Sequence, residues 1–130
     1  MVVRQNKMNP ASKTVSGFIE AVNDQDWDRL RDLVMPAFRR YSRAGGDIHG
    51  VDSLIEFLKQ EFVSFPDAVE RCTHQYTDGN MVTTIMEFSG TQKGAIGPFL
   101  PSGLFVSAPY IAVYRVEDGC IAECWAEWDN

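Results

Sequence analysis

Side chains able to move a proton near neutral pH are few in this chain. There are two histidines, His49 and His74, and imidazole is the side chain whose ordinary titration falls between about pH 5 and 8. His74 stands in a run of strand character from 69 to 78 and is a candidate general base. His49 precedes Gly50 and a helical pattern, so it reads as a turn or cap residue. Towards the C-terminus, Glu127 and Asp129 follow Trp125. A carboxylate pushed into apolar surroundings acquires a raised pKa and exchanges a proton at neutral pH, which makes Glu127 the second catalytic candidate. Each has a plainer reading as well. His74 can be a half-exposed strand residue with no task. Alternation puts Glu127 and Asp129 on the side of Glu123 and Trp125, opposite Ala126, facing solvent or a dimer contact unless a bulge reverses them.

Other chemistries lack their residues. Asp24, Asp26 and Asp28 are without the glycine and distal glutamate of a calcium loop, and fit acids at a helix start. Cys72, Cys120 and Cys124 are an odd number with no framework spacing. Cys120 and Cys124, four apart on a strand, are expected on one face, with no histidine near them in sequence to complete a zinc site. No phosphate-binding glycine loop, Gly-x-Ser-x-Gly elbow or His-Glu-x-x-His string occurs, so no metal or cofactor is expected. Twelve basic residues against eighteen acidic ones give a net charge of −6, which argues against nucleic acid or an anionic membrane surface as partner. With no signal-like leader, no apolar run of about 18 residues and unpaired thiols, the expected setting is soluble and cytoplasmic.

The elements that must position these groups follow from periodicity. Residues 1–8 read as a flexible leader and 9–130 as a single domain. Asn9-Pro10 starts a helix carrying Val15, Phe18, Ile19 and Val22 on one face. A second, capped by Asp24 or Asp26, holds Trp27, Leu30, Leu33 and Val34, and Pro36 is expected to stop it. Phe38 to Ser42 reads as a short strand and 43–47 as a loop whose Arg43 and Asp47 are solvated charges by default. The third helix presents Val51, Leu54, Ile55, Leu58 and Phe62, ending at Phe65-Pro66-Asp67. Residues 69–128 then read as four long strands, with hairpins at Asp78-Gly79 and Asp118-Gly119 and a turn-rich loop from Lys93 to Gly103. Three helices followed by an antiparallel meander make an α+β domain, with the helices packed on one face of a curled sheet.

Several strings in this order resemble the SnoaL-like polyketide cyclase and ester cyclase family of the nuclear transport factor 2-like superfamily. They are Phe65-Pro66-Asp67 at the helix exit, Ser89-Gly90-Thr91 at a strand end, and Pro101-Ser102-Gly103 before the next strand. Tyr114-Arg115-Val116-Glu117-Asp118-Gly119 leading into Ile121-Ala122-Glu123-Cys124-Trp125 completes the set. The resemblance covers nearly all of 10–129. It implies a cone-shaped α+β barrel with a mainly antiparallel curved sheet, no cofactor, frequent homodimers and a hydrophobic pocket in the cone. It also implies acid–base groups that this chain lacks. The family's Gly-Thr-His reads Gly90-Thr91-Gln92, the His or Asp before the Tyr-Arg pair is Ala112, and the carboxylate after the last-strand Trp is Ala126. A family His falls on Tyr41.

Alternation supplies the pocket wall: Met86, Phe88 and Gln92 on one strand, Tyr110, Ala112 and Tyr114 on the next, and Cys124, Ala126 and Trp128 on the last. Such a wall suits a small hydrophobic or aromatic molecule, although the same residues can simply fill a core. Two functions remain. One is a cofactor-free cyclase or isomerase, including polyketide-type aldol cyclisation, with His74 or Glu127 as base and Tyr41, Gln92 and Tyr110 orienting a carbonyl oxygen. The other is a binding or dimeric assembly module that has lost its acid–base set. Epoxide-hydrolase-type water activation would need an inward Asp-Arg-Asp relay, and the strand arginines recognised from sequence, Arg71 and Arg115, do not provide one. Trp125, Ile111 and Val113 on the opposite face suggest a dimer surface.

Overall fold

The computed structural model describes residues 9–128; the segment 1–8 read as a leader, and Asp129, lie outside them. Helix α1 spans Pro10–Asn23, opened by Asn9, whose side chain accepts the Ala11 N–H at 2.7 Å, with Pro10 at the first helical position. Its buried face carries Val15, Phe18, Ile19 and Val22. Helix α2, Trp27–Leu33, is capped by Asp26, which accepts the Arg29 N–H. Strand β1 runs Val34–Tyr41, so the helix ends before Pro36 and the strand is longer than the 38–42 expected. Val34 is already extended. Pro36 is tolerated inside the strand because pairing with the neighbour is interrupted between Val34 and Arg39.

Strand β2 is the pair Ile48–His49, and α3 spans Val51–Ser64, burying Val51, Leu54, Ile55 and Leu58. Phe65 leaves helical geometry just before Pro66. The meander follows as β3 Val69–Asp78, β4 Met81–Thr91, β5 Phe105–Glu117 and β6 Cys120–Glu127. Its hairpins turn on Gly79-Asn80, one residue later than expected, and on Asp118-Gly119, where both central residues have positive φ. That is the backbone a twisted two-residue hairpin requires.

The six strands form one sheet in the order β2-β1-β6-β5-β4-β3, antiparallel throughout except for β1 beside β6. The sheet is not closed: β2 and β3 are its two edges. Helices α1 and α3 lie over one face, and the core fills the space between, from Val15 and Phe18 through Leu54 and Leu58 to Met86 and Ile121. The architecture is the expected α+β arrangement of three helices on a mainly antiparallel sheet.

Two bulges reset the alternation of side chains. In β3 the register slips between Cys72–Met86 and His74–Ile85, leaving Thr73 extra. In β6 it slips between Val116–Ile121 and Arg115–Glu123, leaving Ala122 extra. An odd residue reverses which face every later side chain takes. Ile121 and Cys124 thus share the core, whereas Cys120 turns outward to the Asp32 carbonyl. The expectation that Cys120 and Cys124 share a face is corrected by this bulge.

Candidate functional site

Between the helices and the sheet lies a cavity of about 280 Å³. Most of its wall is apolar, with Phe57, Leu58, Phe65, Met86 and Phe88 prominent. Into this wall project a few polar groups: Arg40 from β1, Glu61 from α3, Glu70 from β3, and Tyr110 and Tyr114 from β5. A largely apolar enclosure with a few placed polar groups is the form of a small-molecule site.

Glu61 lies where the α3 stripe continues, since Leu54, Leu58 and Glu61 recur at i, i+4 and i+7. Burial raises its carboxyl to a pKa of about 8, the neighbouring Glu70 adds to the rise, and Arg40 opposes it. Glu70 is fixed from two directions. Its N–H donates to Asn23 Oδ1 and its carbonyl accepts from Asn23 Nδ2, both at 2.8 Å, so the end of α1 clamps the start of β3. Its carboxylate accepts the Tyr110 hydroxyl at 2.6 Å. Burial pushes the Glu70 carboxyl up, while the Tyr110 hydrogen bond pulls it down. The Tyr110 phenol is held well above its ordinary value by burial and then by the Glu70 charge, so it stays a donor.

Arg40 is only 7% exposed. Its Nη2 donates to the carbonyls of Gly45 and Gly46 at 3.2 and 3.1 Å, and the guanidinium packs on the Phe57 ring (4.5 Å) and the Trp128 ring (5.7 Å). Burial lowers its pKa, with Cys124 and Glu61 opposing. Gly45 has no room for a side chain, because a Cβ there would run into the Trp128 ring. Cys124 also lines the cavity, where burial pushes its thiol up to about 12 and leaves it protonated and unreactive.

Met86, Phe88, Tyr110, Tyr114 and Trp128 line the cavity, as do Ala112 and Ala126. The other residues singled out from sequence lie elsewhere. His74 is exposed on the edge strand, stacked on Tyr76, because the Thr73 bulge turns both away from the face of Cys72. Glu127 is exposed, and its carboxylate accepts the N–H groups of Arg43 and Ala44, which hold its pKa below the usual range. Tyr41 is on the outer face, stacked on Trp125 and donating to Glu123 at 3.0 Å. Gln92 is buried one residue beyond β4. It donates to the carbonyls of Gly94 and Leu100 and accepts from the Ser102 hydroxyl, bracing the 93–103 loop.

Sequence reasoning missed Arg40, Glu61 and Glu70. Each carried a signal: Arg40 shares strand parity with Phe38, Glu61 extends an apolar stripe, and Glu70 shares parity with Cys72. The expectation that no strand arginine faces inward is corrected by Arg40, which lines the cavity from the same face of β1 as Phe38.

A family model described as SnoaL-like polyketide cyclase matches residues 13–130. The chain belongs to the SnoaL-like polyketide cyclase family. Among curated protein sequences none matches significantly. Solved structures share the fold closely at low identity. A SnoaL-like polyketide cyclase from Agrobacterium tumefaciens is 19% identical, with a TM-score of 0.81 over 95% of this chain and 94% of its own. AclR from Streptomyces galilaeus, provisionally assigned as a hydroxylase, is 18% identical, with a TM-score of 0.81 over 95% and 91%. A nuclear transport factor 2-like protein of unknown function from Burkholderia pseudomallei is 18% identical, with a TM-score of 0.78 over 94% and 92%. At such identity the likeness shows the fold alone, and a fold does not fix the chemistry of its site.

Proposed function

We propose that this SnoaL-like protein is a cofactor-free acid–base enzyme of the cyclase or isomerase type, acting on a small hydrophobic or aromatic carbonyl compound in the cavity. One observation carries the reading: Glu70, held by Asn23 and Tyr110, shares an apolar enclosure with a second carboxyl, Glu61, whose pKa is about 8. Two carboxyls in such surroundings divide into a proton donor and a proton acceptor. Glu61 is the protonated partner at neutral pH, and Glu70 takes the proton. In an aldol cyclisation, Glu70 removes a proton from the carbon beside a carbonyl. The resulting carbanion attacks a second carbonyl of the same molecule, and the new alkoxide takes a proton from Glu61. The family carboxylate missing at Ala126 is thereby replaced from the other wall of the cavity. His74 and Glu127, the bases suggested by sequence, leave the proposal because neither lines the cavity.

A non-catalytic binding module is the second reading, favoured by alanine at 112 and 126 on the cavity wall. Exchange of the α-protons of 2-tetralone in D2O, followed by proton NMR, separates the two. The enzyme reading expects acceleration over buffer, a loss on the order of 10²-fold in Glu70→Gln and a smaller loss in Tyr110→Phe. Equal rates for wild type, Glu70→Gln and buffer leave the binding module. We also propose that the protein is a cytoplasmic homodimer joined through the outer face of the sheet.

A further inference from the structure

We propose that the guanidinium of Arg40 is a carboxylate-binding subsite, so that the cavity's ligand is a flat hydrophobic molecule bearing a carboxylate. The inference rests on the reading of the cavity as a small-molecule site.

Arg40 is a buried cation without a close counter-ion: among the described residues, no carboxylate lies within 4.0 Å of its guanidinium. Both of its hydrogen bonds leave from Nη2. Nε has no hydrogen-bond partner and is the one buried side-chain polar atom so placed among the described residues. A buried N–H without a protein partner is a deficit that native structures rarely keep without a use. Nη1 makes no hydrogen bond to any described residue either, and a charged donor left unpaired in an apolar enclosure is best matched by a carboxylate oxygen. Phe57 and Trp128 pack against the guanidinium, and the Gly45 and Gly46 carbonyls hold its Nη2, so the cation is held in place before a ligand arrives.

The charges around it favour an anion. Arg40 is faced by Glu61 from α3, Tyr110 and Tyr114 from β5 and Cys124 from β6. Burial holds both phenols and the thiol in their neutral forms, and Glu61 stays protonated below about pH 8. Glu70, the remaining carboxyl of the cavity, is tied to Tyr110. The cation is therefore left for the ligand at neutral pH, whereas above pH 8 an ionised Glu61 competes for it.

The test compares two probes of one shape, 2-naphthoate and neutral 2-methylnaphthalene, titrated by isothermal calorimetry and by Trp128 fluorescence. Wild type is expected to bind naphthoate at least tenfold more tightly at pH 7, with the preference shrinking by pH 9. Arg40→Met is expected to remove the preference and keep the hydrocarbon's affinity within about twofold. Because that variant removes packing as well as charge, the wild type supplies a second readout. Naphthoate should displace one arginine Nε–H cross-peak in a nitrogen–proton spectrum, and methylnaphthalene should not. Equal affinity for the two probes in wild type, or a preference that survives in folded Arg40→Met, overturns the Arg40 assignment and leaves the cavity reading standing. Binding of neither probe overturns both.

Discussion

Glu61 shows how one side chain links folding to function. A helix stripe that buries Leu54 and Leu58 carries Glu61 into the same apolar enclosure, where its carboxyl pKa rises from the ordinary 4.5 to about 8. Between those two values the folded chain binds a proton that the unfolded chain has lost. Folding stability must therefore fall as pH rises through this window, and the sign is opposite to that of a salt-bridged carboxylate. Glu61→Gln removes the titration while keeping the shape. The expected outcome is a wild-type Tm that declines from pH 5 to pH 8 more steeply than the variant's, with the variant the more stable of the two at pH 8. Parallel Tm curves across that range would show that Glu61 titrates normally. At this scale the sequence was half legible. Met86, Phe88, Tyr110 and Tyr114 follow from alternation along strands without a bulge of their own, Trp128 from alternation beyond the bulge in β6, and all five line the cavity. Glu61 was passed over because a charged residue on a helix defaults to the solvent side, and that default fails when the stripe runs on beneath it.

The elements show where alternation stops being a guide. The turn at Asp118-Gly119, the cap at Asn9 and the exit at Phe65-Pro66 are local chemistry, and each stands where a local reading puts it. A bulge is not written locally. Thr73 and Ala122 are ordinary strand residues, and the slip at each depends on how two whole strands fit, so His74 and Cys120 turn outward for reasons no short window contains. The same dependence on distant elements places Glu70: a lone amide at the end of α1 grips both backbone groups of this residue. Two partly buried hydrogen bonds of this kind are worth about 1 kcal/mol each. Asn23→Ala is therefore expected to cost about 1–2 kcal/mol in urea unfolding. Loss of the clamp should also slow 2-tetralone exchange through kcat, with KM little changed, since the carboxylate moves and the cavity wall does not. A stability loss with exchange kinetics intact would mean that Tyr110 alone holds Glu70 in place.

Across the whole molecule, the cavity wall and the outer face of the sheet are the same strands seen from two sides. Arg40 alternates with Tyr41, Ala112 with Ile111, and Cys124 with Trp125, so whatever covers the outer face also steadies the wall. That face carries Ile111 at 52% and Trp125 at 37% exposure, with Tyr41 stacked on Trp125 and Glu123 bridging Tyr41 and Arg115. A monomer seldom leaves a contiguous apolar patch of several hundred Å² in water. A second copy related by a two-fold axis would place the same strip against itself, as symmetric dimers do, and a stable contact needs about 1,200–2,000 Å² in total. Sedimentation equilibrium at micromolar concentration should then give twice the 14.6 kDa chain mass. Ile111→Glu, which sets like charges together across the axis, should return the single-chain mass and weaken naphthoate binding, because the strand bearing Ala112 loses its outer support. A wild type that sediments at the single-chain mass would remove the dimer. A monomeric Ile111→Glu with unchanged naphthoate affinity would show that the helices alone hold the wall in shape.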